Sequence, residues 1–382
     1  MNVRDQFQER FGQAPVQVNA PGRINLIGEH TDYNDGFVLP AAIDRRIEMA
    51  VGPNGKAAHC RLYAADLGES LEIDFDDIQP QSKPGWANYI LGVVAELRAS
   101  GARLEGFDCL FAGNIPIGGG LSSSAALENA TAVGLNQLFD LGLSKEKLLH
   151  LSQRAEHRYA GVQCGIMDQF ATMMGKAGHA LLLDCRTLDY EYVPLDLKDH
   201  VLVLCDTNVS HSLAASEYNT RRRECEEAVR LLQPAFPNMR ALRDLTTVGL
   251  KAERNRISEL LFRRAHHVIT ENERVQLAVA ALRAGELSRL GDLLYQSHNS
   301  LQNDYEVSCT ELDFLVDFTR SRDEVLGARM MGGGFGGSTL NLVEKDKAEY
   351  FLKDIGEAYQ KEMDREMGRY VVRVGAGAGM VT

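Results

Sequence analysis

No apolar run in this sequence approaches the roughly 20 residues that span a bilayer, so a membrane-embedded helix is not expected. The first ten residues mix Arg4, Asp5, Glu9 and Arg10 with no apolar stretch, which is not the pattern of a secretory leader. Cysteine is sparse: seven residues, odd in number, scattered and without a Cys-x-x-Cys pair. That usage fits neither a disulfide framework nor a zinc site, and it points to reduced thiols in the cytoplasm. Basic residues are the minority, 41 Lys and Arg against 53 Asp and Glu, a net charge of −12. A surface of that sign disfavours a nucleic-acid groove as the main business. It leaves a nucleotide open, because a few local cations, backbone N–H groups and a metal ion suffice for one. Internal repeats and low-complexity segments are absent too.

What the chain does have is material for folding, 45% hydrophobic and 25% charged residues over 382 positions. That is the mix of a globular protein, and the length calls for two domains. Residues 16–22 read as a short strand broken by Pro21 and Gly22, with further strands at 36–43, 47–51, 58–63 and 106–111. Ile90, Val93, Val94 and Leu97 recur at helical spacing within 89–99. An Ala-rich helix is expected from Leu121 to Phe139, and a second from an N-cap at Ser144. Apolar runs at 180–184 and 201–205 have strand length. The polar stretch 188–200 between them reads as a loop and a domain junction, dividing the chain into 1–190 and 191–382. Helices then dominate 216–291 and recur at 311–320 and 344–361, with strands at 338–343 and 370–374. Strands and helices alternate without a βαβ rhythm, which predicts an α+β fold and not a doubly wound parallel sheet.

Gly118-Gly119-Gly120-Leu121-Ser122-Ser123-Ser124 lies where a loop becomes a helix. Glycines let the backbone approach an anion, and the first N–H groups of a helix point at it. The segment is neither G-x-x-x-x-G-K-[ST] nor G-x-G-x-x-G, and a glycine turn before a serine-capped helix explains it equally well. A second cluster, 332–337, carries five glycines in six positions. Each would cost roughly 0.5–1 kcal/mol in a regular element, so a close backbone approach is the better reading, with a tight turn as the plainer one.

Arg23, Glu29, His30 and Asp32 crowd into an otherwise apolar segment between Gly22 and Gly36. Buried charges need partners, and such residues hold hydroxyl-rich ligands; a polyol site and a structural ion-pair cluster are both consistent. Asp168 is a lone carboxylate in Gly165-Ile166-Met167-Asp168-Gln169, or else a helix N-cap. Glu156, taken alone, reads as a solvated surface acid. Residue chemistry thus reaches an anion loop, a polyol pocket and spare carboxylates.

Together these motifs resemble the GHMP kinases, a superfamily of small-molecule kinases. Residues 116–126, Pro116 through the three serines to Ala126, are similar to the superfamily's phosphate loop. Gly22-Arg23-Ile24-Asn25-Leu26-Ile27-Gly28-Glu29-His30-Thr31-Asp32-Tyr33 is similar to the signature of its galactokinase family, as are 165–169 and Ser216-Glu217-Tyr218-Asn219-Thr220-Arg221-Arg222. The resemblance covers nearly the whole chain. It implies an N-terminal α+β domain, a C-terminal ferredoxin-like α+β domain and an active site between them. It implies phosphoryl transfer from ATP, with Mg²⁺, to the anomeric hydroxyl of galactose, by a cytoplasmic monomer without nucleic-acid or membrane partners. Glu29, His30, Thr31, Asp32 and Tyr218 would hold the sugar. Asp168 would face the anomeric hydroxyl, with Arg23 beside it to counter charge on the transferring phosphoryl group. Gly118, Gly119, Gly120, Leu121, Ser122, Ser123 and Ser124 would wrap the phosphates, and Ser124 and Glu156 would serve the metal. Two positions depart from the family's pattern: Met331 stands where Thr is frequent, and Ser338 where Cys is. Another sugar-1-kinase, acting on N-acetylgalactosamine or arabinose, and a galactose sensor without catalysis are the alternatives. The intact serine loop and Asp168 favour an enzyme.

Overall fold

A computed structural model describes residues 2–116, 118–209 and 214–381. Ile117 of the phosphate-loop motif lies outside them. The chain opens with α1 (Val3–Phe11), capped by the Asn2 side chain and closed by a left-handed Gly12. β1 (Val16–Asn25), β2 (Phe37–Val38), β3 (Pro40–Pro53), β4 (His59–Ala64) and β5 (Glu69–Asp74) precede α2 (Ala87–Ala99) and β6 (Phe107–Gly113). Then come α3 (Ser123–Leu138), α4 (Lys145–Ala155), α5 (Met167–Met174), β7 (His179–Asp184) and β8 (Tyr190–Pro194). The first sheet runs β13-β1-β3-β6-β4-β5, where β13 (Gly379–Met380) is the returning end of the chain. Its pairs are antiparallel except β4 beside β6.

Successive side chains of a strand face opposite ways, and β3 shows the result. Met49 and Val51 enter the main core, whereas Ala50 packs with Val3, Phe7 and Leu110 under α1. On the main-core face α3 lies against β1 and β3 and is flanked by α2, α4 and α5. Ala125, Ala126, Ala130 and Ala132 are fully buried, small enough to let α3 lie close to the sheet.

The second half contains β9 (His200–Asp206), α6 (Ala214–Leu232), α7 (Thr247–Ala252), α8 (Glu259–Ala284), α9 (Leu287–Ser300) and α10 (Thr310–Thr319). β10 (Val325–Met330), β11 (Ser338–Glu344), α11 (Ala348–Met363) and β12 (Gly368–Val372) follow. The antiparallel sheet β10-β11-β9-β12 is covered on both faces. Val203 and Cys205 pack with Leu315, Phe351 and Tyr359 from α10 and α11, while Leu202 and Leu204 join the main core. The expected α+β class is what the structure has.

Three local expectations change. β1 runs straight through Pro21-Gly22, with a register shift between Pro21 and Arg23. β13 covers only Val18 and Asn19, so Pro21 sits where β1 is an edge, the place in which a strand tolerates proline. The stretch 188–200 is not all loop, since β8 pairs with β7, and a boundary between 190 and 191 would cut that strand. We propose the junction at 195–199, where the chain passes from β8, in the three-stranded sheet β2-β7-β8, to β9 of the four-stranded sheet. Among the described residues, no helix is long and apolar enough to cross a membrane.

Candidate active site

Beyond β1 the chain enters the turn 26–36, which carries the charged constellation. α8 holds this turn from beneath. Glu271 accepts the N–H groups of Gly28 (2.9 Å) and Glu29 (3.3 Å), the Ser297 hydroxyl (2.7 Å) and Nε of Arg274 (2.7 Å). Burial alone would raise the Glu271 carboxyl, but Arg274, His267 and Arg329 outweigh it and hold it at about 2. Asn272 accepts the N–H of Phe37 at 2.7 Å. Neither Glu271 nor Asn272 stands out in the sequence, where 216–291 shows only helices with charged faces.

A cavity of about 210 Å³ opens between this turn, the starts of α3 and α5, Tyr218 of α6 and Gly332-Gly333. At its wall, Nε and Nη2 of Arg23 lie 2.9 and 2.8 Å from Oδ1 of Asp168. Ser122 donates its hydroxyl to Oδ2 at 2.6 Å. Asp168 is the second residue of α5, whose N-cap is Ile166, so it caps nothing. A carboxylate has about four acceptor positions, and these contacts leave room for one more donor.

Asp32 faces the same cavity without a cation of its own; its Oδ1 accepts only the N–H of Tyr33, at 3.0 Å. Burial, reinforced by the charge of Asp168, pushes its carboxyl up to about 7. A Cβ at position 165 would strike this carboxylate, which is why a glycine stands there. His30 is driven down to about 3, first by burial, so the ring is neutral. Its Nε2 is 3.2 Å from the Gly333 carbonyl and must carry the proton, leaving Nδ1 to accept the Tyr33 hydroxyl at 2.7 Å. Tyr33 then accepts from Tyr305 at 2.8 Å. The ring of Tyr218 lies 5.3 Å from those of both His30 and Tyr33.

Glu29 lines the cavity with one oxygen already engaged, accepting from Arg329 (2.7 Å) and the Gly332 N–H (2.8 Å). Arg329 is fully buried and also donates to the carbonyls of Asn25, Leu26 and Met330. Thr31 departs from expectation. It is fully buried, and its hydroxyl donates to the carbonyls of Gly28 and Phe37, so it shapes the turn and does not reach the cavity.

The loop 118–124 divides its residues between two cavities. Gly120 and Ser122 face the first, while Ser123 and Ser124 face a second, of about 550 Å³, walled by Trp86, Tyr89, Leu67 and Tyr159. Ser122 occupies the N-cap of α3 at φ 55°, yet its hydroxyl serves Asp168 and not the helix. The Leu121 side chain is in the core, and its carbonyl accepts the Arg23 N–H at 3.1 Å. The late glycine turn packs onto this loop, with Ser338 donating to the Gly119 carbonyl at 2.7 Å. A Cβ at Gly334, where φ is 81°, would strike the Val307 carbonyl, so close backbone packing explains the cluster. Met331 places its sulfur 3.4 Å from the Asn25 N–H.

Glu156 is not a surface acid. It begins a π-turn, Glu156–Ala160, that continues α4 inward, and it is buried. It accepts from Gln169 at 2.6 Å and from Ser124, and burial, then the charge of Asp168, pushes it up to about 7. A hydroxyl and one carboxylate are the hard oxygen donors that Mg²⁺ takes alongside substrate phosphates and water, so Ser124 and Glu156 fit such an ion. Trp86, Tyr89, Arg329 and Glu271 were missed by sequence reasoning. Trp86, the single tryptophan, was the one available signal.

Residues 88–176 match the GHMP kinases N terminal domain, 278–361 the GHMP kinases C terminal, and 5–53 the galactokinase galactose-binding signature. The chain is 47% identical to a galactokinase of Roseiflexus sp. (strain RS-1), over 99% of this chain and 96% of that one. It belongs to the galactokinase family. Identity to the galactokinase of Thermotoga maritima is 43%, over 91% of this chain and 94% of the relative. The crystal structure of Lactococcus lactis galactokinase complexed with galactose is similar to this family member at a TM-score of 0.95 and 38% identity, covering 99% and 98% of the two chains. Methanococcus jannaschii mevalonate kinase is similar at a TM-score of 0.69 and 17% identity, covering 95% and 99%, a likeness of fold alone. The chain is an ATP-dependent sugar kinase with the two-domain GHMP fold.

Proposed function

We propose that this chain transfers the γ-phosphoryl group of ATP to the anomeric hydroxyl of D-galactose, giving galactose 1-phosphate and ADP. The carrying observation is the small polar cavity in which Arg23, Asp32 and Asp168 converge beside the serine loop. At about 210 Å³ it is below the range of drug-sized pockets and suits a single sugar ring. The larger neighbour, with its Trp and Tyr walls, would take the nucleotide body, so the phosphates would cross the start of α3 and its N–H groups.

In this reading Asp168 receives the hydrogen bond, and finally the proton, of the anomeric hydroxyl. Arg23 fixes the carboxylate and offsets charge on the phosphoryl oxygens. Ser122 orients its second oxygen. Positioning and charge neutralisation of this kind are the main requirements of phosphoryl transfer. Mg²⁺, when bound by Ser124 and Glu156, supplies further neutralisation of phosphate charge. Asp32, Glu29, His30 and Tyr218 bind the sugar, and Asp32 is assigned to the axial C4 hydroxyl. A site built around one hydroxyl rejects a misplaced one strongly. The seven free cysteines accord with a reducing cytoplasm, and we take the protein to act there as a monomer.

ADP release across a panel of sugars tests the reading. Galactose should be turned over orders of magnitude faster than glucose. Equal rates on glucose, N-acetylgalactosamine or arabinose would reject the substrate, and binding of galactose and ATP without ADP release would make the chain a sensor.

A further inference from the structure

A groove of about 800 Å³ lies between the start of β9, the strand β12 and the first half of α11. It shares no residue with the two cavities above. Lys198, His200, Lys345, Lys353, Arg369 and Arg373 line it, with Glu349 as the lone acid of its wall. Lys353 meets Glu357 only at 3.9 Å. Among the described residues, Lys198, Lys345, Arg369 and Arg373 take part in no ion pair; Lys198 and Arg369 reach only backbone carbonyls. A chain of net charge −12 therefore gathers five lysines and arginines in one concavity and leaves four of them without an ion pair. Clustered like charges repel, and the arrangement is favourable once an anion enters.

The groove also has an apolar side. Leu352 and Val201 line it with Val371, which is 42% exposed. The first turn of α11, at Ala348 and Glu349, forms one wall, continuing a 3-10 turn at Lys345–Lys347 whose Lys345 carbonyl accepts the Ala348 N–H. The position is remote from the chemistry. His200 and Asp206 are the two ends of β9, about 20 Å apart at about 3.3 Å per residue, and Asp206 packs against Gly119 of the phosphate loop.

We infer that this groove is a second, non-catalytic site for a small phosphorylated ligand with an apolar body, of the nucleotide class. The phosphates meet Lys345, Lys353 and Arg369, and the body lies along Leu352 and Val371. Setting five cations aside leaves the remaining surface more negative than the total of −12, which opposes long polyanions and anionic membranes and favours a compact ligand.

Calorimetry of the full chain saturated with galactose, titrated with ADP, should show two binding events. Reversing two exposed lysines, Lys345→Glu with Lys353→Glu, should weaken one of them by at least about tenfold and leave turnover on galactose unchanged. ADP should protect Lys345 from amine-reactive labelling, and inorganic phosphate should do so only at much higher concentration. A single ADP event that the double variant does not alter overturns the inference. So does equal protection by phosphate and ADP, which removes the apolar body, and so does sedimentation of the protein with phosphatidylserine vesicles in the absence of a second ADP event.

Discussion

Before any substrate arrives, Asp168 accepts two nitrogens of Arg23 and the hydroxyl of Ser122. A carboxylate fixed on both oxygens is oriented at no further entropic cost when the sugar binds. Asp168→Asn keeps the shape and removes the charge. Turnover by ADP release should fall about 10²- to 10⁴-fold, while galactose affinity by calorimetry changes by no more than about tenfold. Wild-type turnover in this variant would remove Asp168 from the chemistry. Gly165→Ala tests the sugar side, because the added methyl must displace the Asp32 carboxylate. Galactose should bind at least about tenfold more weakly, with a stability loss of about 1–3 kcal/mol from overpacking. Unchanged affinity would show that Asp32 does not hold the sugar. At this scale the sequence was informative: Arg23, Glu29, His30, Asp32 and Asp168 do line one cavity. Thr31 was misjudged because adjacency in a turn does not say which way a side chain points. Arg329 was invisible because an arginine beside glycines reads as a turn residue, whereas it is entirely buried.

Elements carry these residues, and the least legible element matters most. α8 is 26 residues long with a charged outer face, and nothing in its pattern marks Glu271 as the one acid turned inward under the sugar turn. Helical spacing sufficed for α2, Ala-rich composition for α3 and the Ser144 N-cap for the start of α4. Periodicity failed for β8, where only Val193 is buried, and for β10, where Gly327, packed on Gly291 of α9, and the buried Arg329 interrupt the apolar pattern. Glu271→Gln should expose the importance of that support. The amide would face N–H donors with an NH₂ group and would leave Arg274 without its charge partner. Breaking a buried pair costs about 3–5 kcal/mol, which should appear in the denaturant midpoint. Galactose affinity should fall with it, since Gly28 and Glu29 lose their anchor. A variant with unchanged midpoint and unchanged affinity would mean that the turn holds itself.

The six-stranded, four-stranded and β2-β7-β8 sheets share one apolar core, and the cavity beside it gathers several buried titratable groups. Their effects on stability oppose each other. Asp32 and Glu156 have carboxyls near 7, above their ordinary 3.8 and 4.5, so each binds a proton that the unfolded chain has released. Their contribution is full below about pH 4 and is lost as pH rises through 7. His30 and His267 lie near 3 and 4, below the ordinary 6.5, and Glu271 near 2. Those contributions are present at neutral pH; the histidine part declines as pH falls below 6.5 and the Glu271 part below about 4.5. Between about pH 4.5 and 6.5 the two sets oppose each other, and below about pH 4 only the histidine and Glu271 losses continue, so the ligand-free protein should lose stability there. Asp32→Asn separates them, because the amide is neutral at every pH and mimics the protonated acid. At pH 5 the folded Asp32 is protonated while the unfolded chain has largely released that proton, so only the first part of the contribution is lost and the variant should be only modestly the more stable. At pH 8 the wild type must keep a carboxylate in a cavity already holding that of Asp168, and the variant need not. The variant should therefore be the more stable at pH 8, on the order of 2 kcal/mol after allowance for solvent near the group. Urea denaturation of both proteins at the two pH values measures the difference. An equal difference at pH 5 and pH 8 would mean that Asp32 does not titrate between them, and the carboxylate would have to be stabilised by a partner that its single Tyr33 contact does not provide.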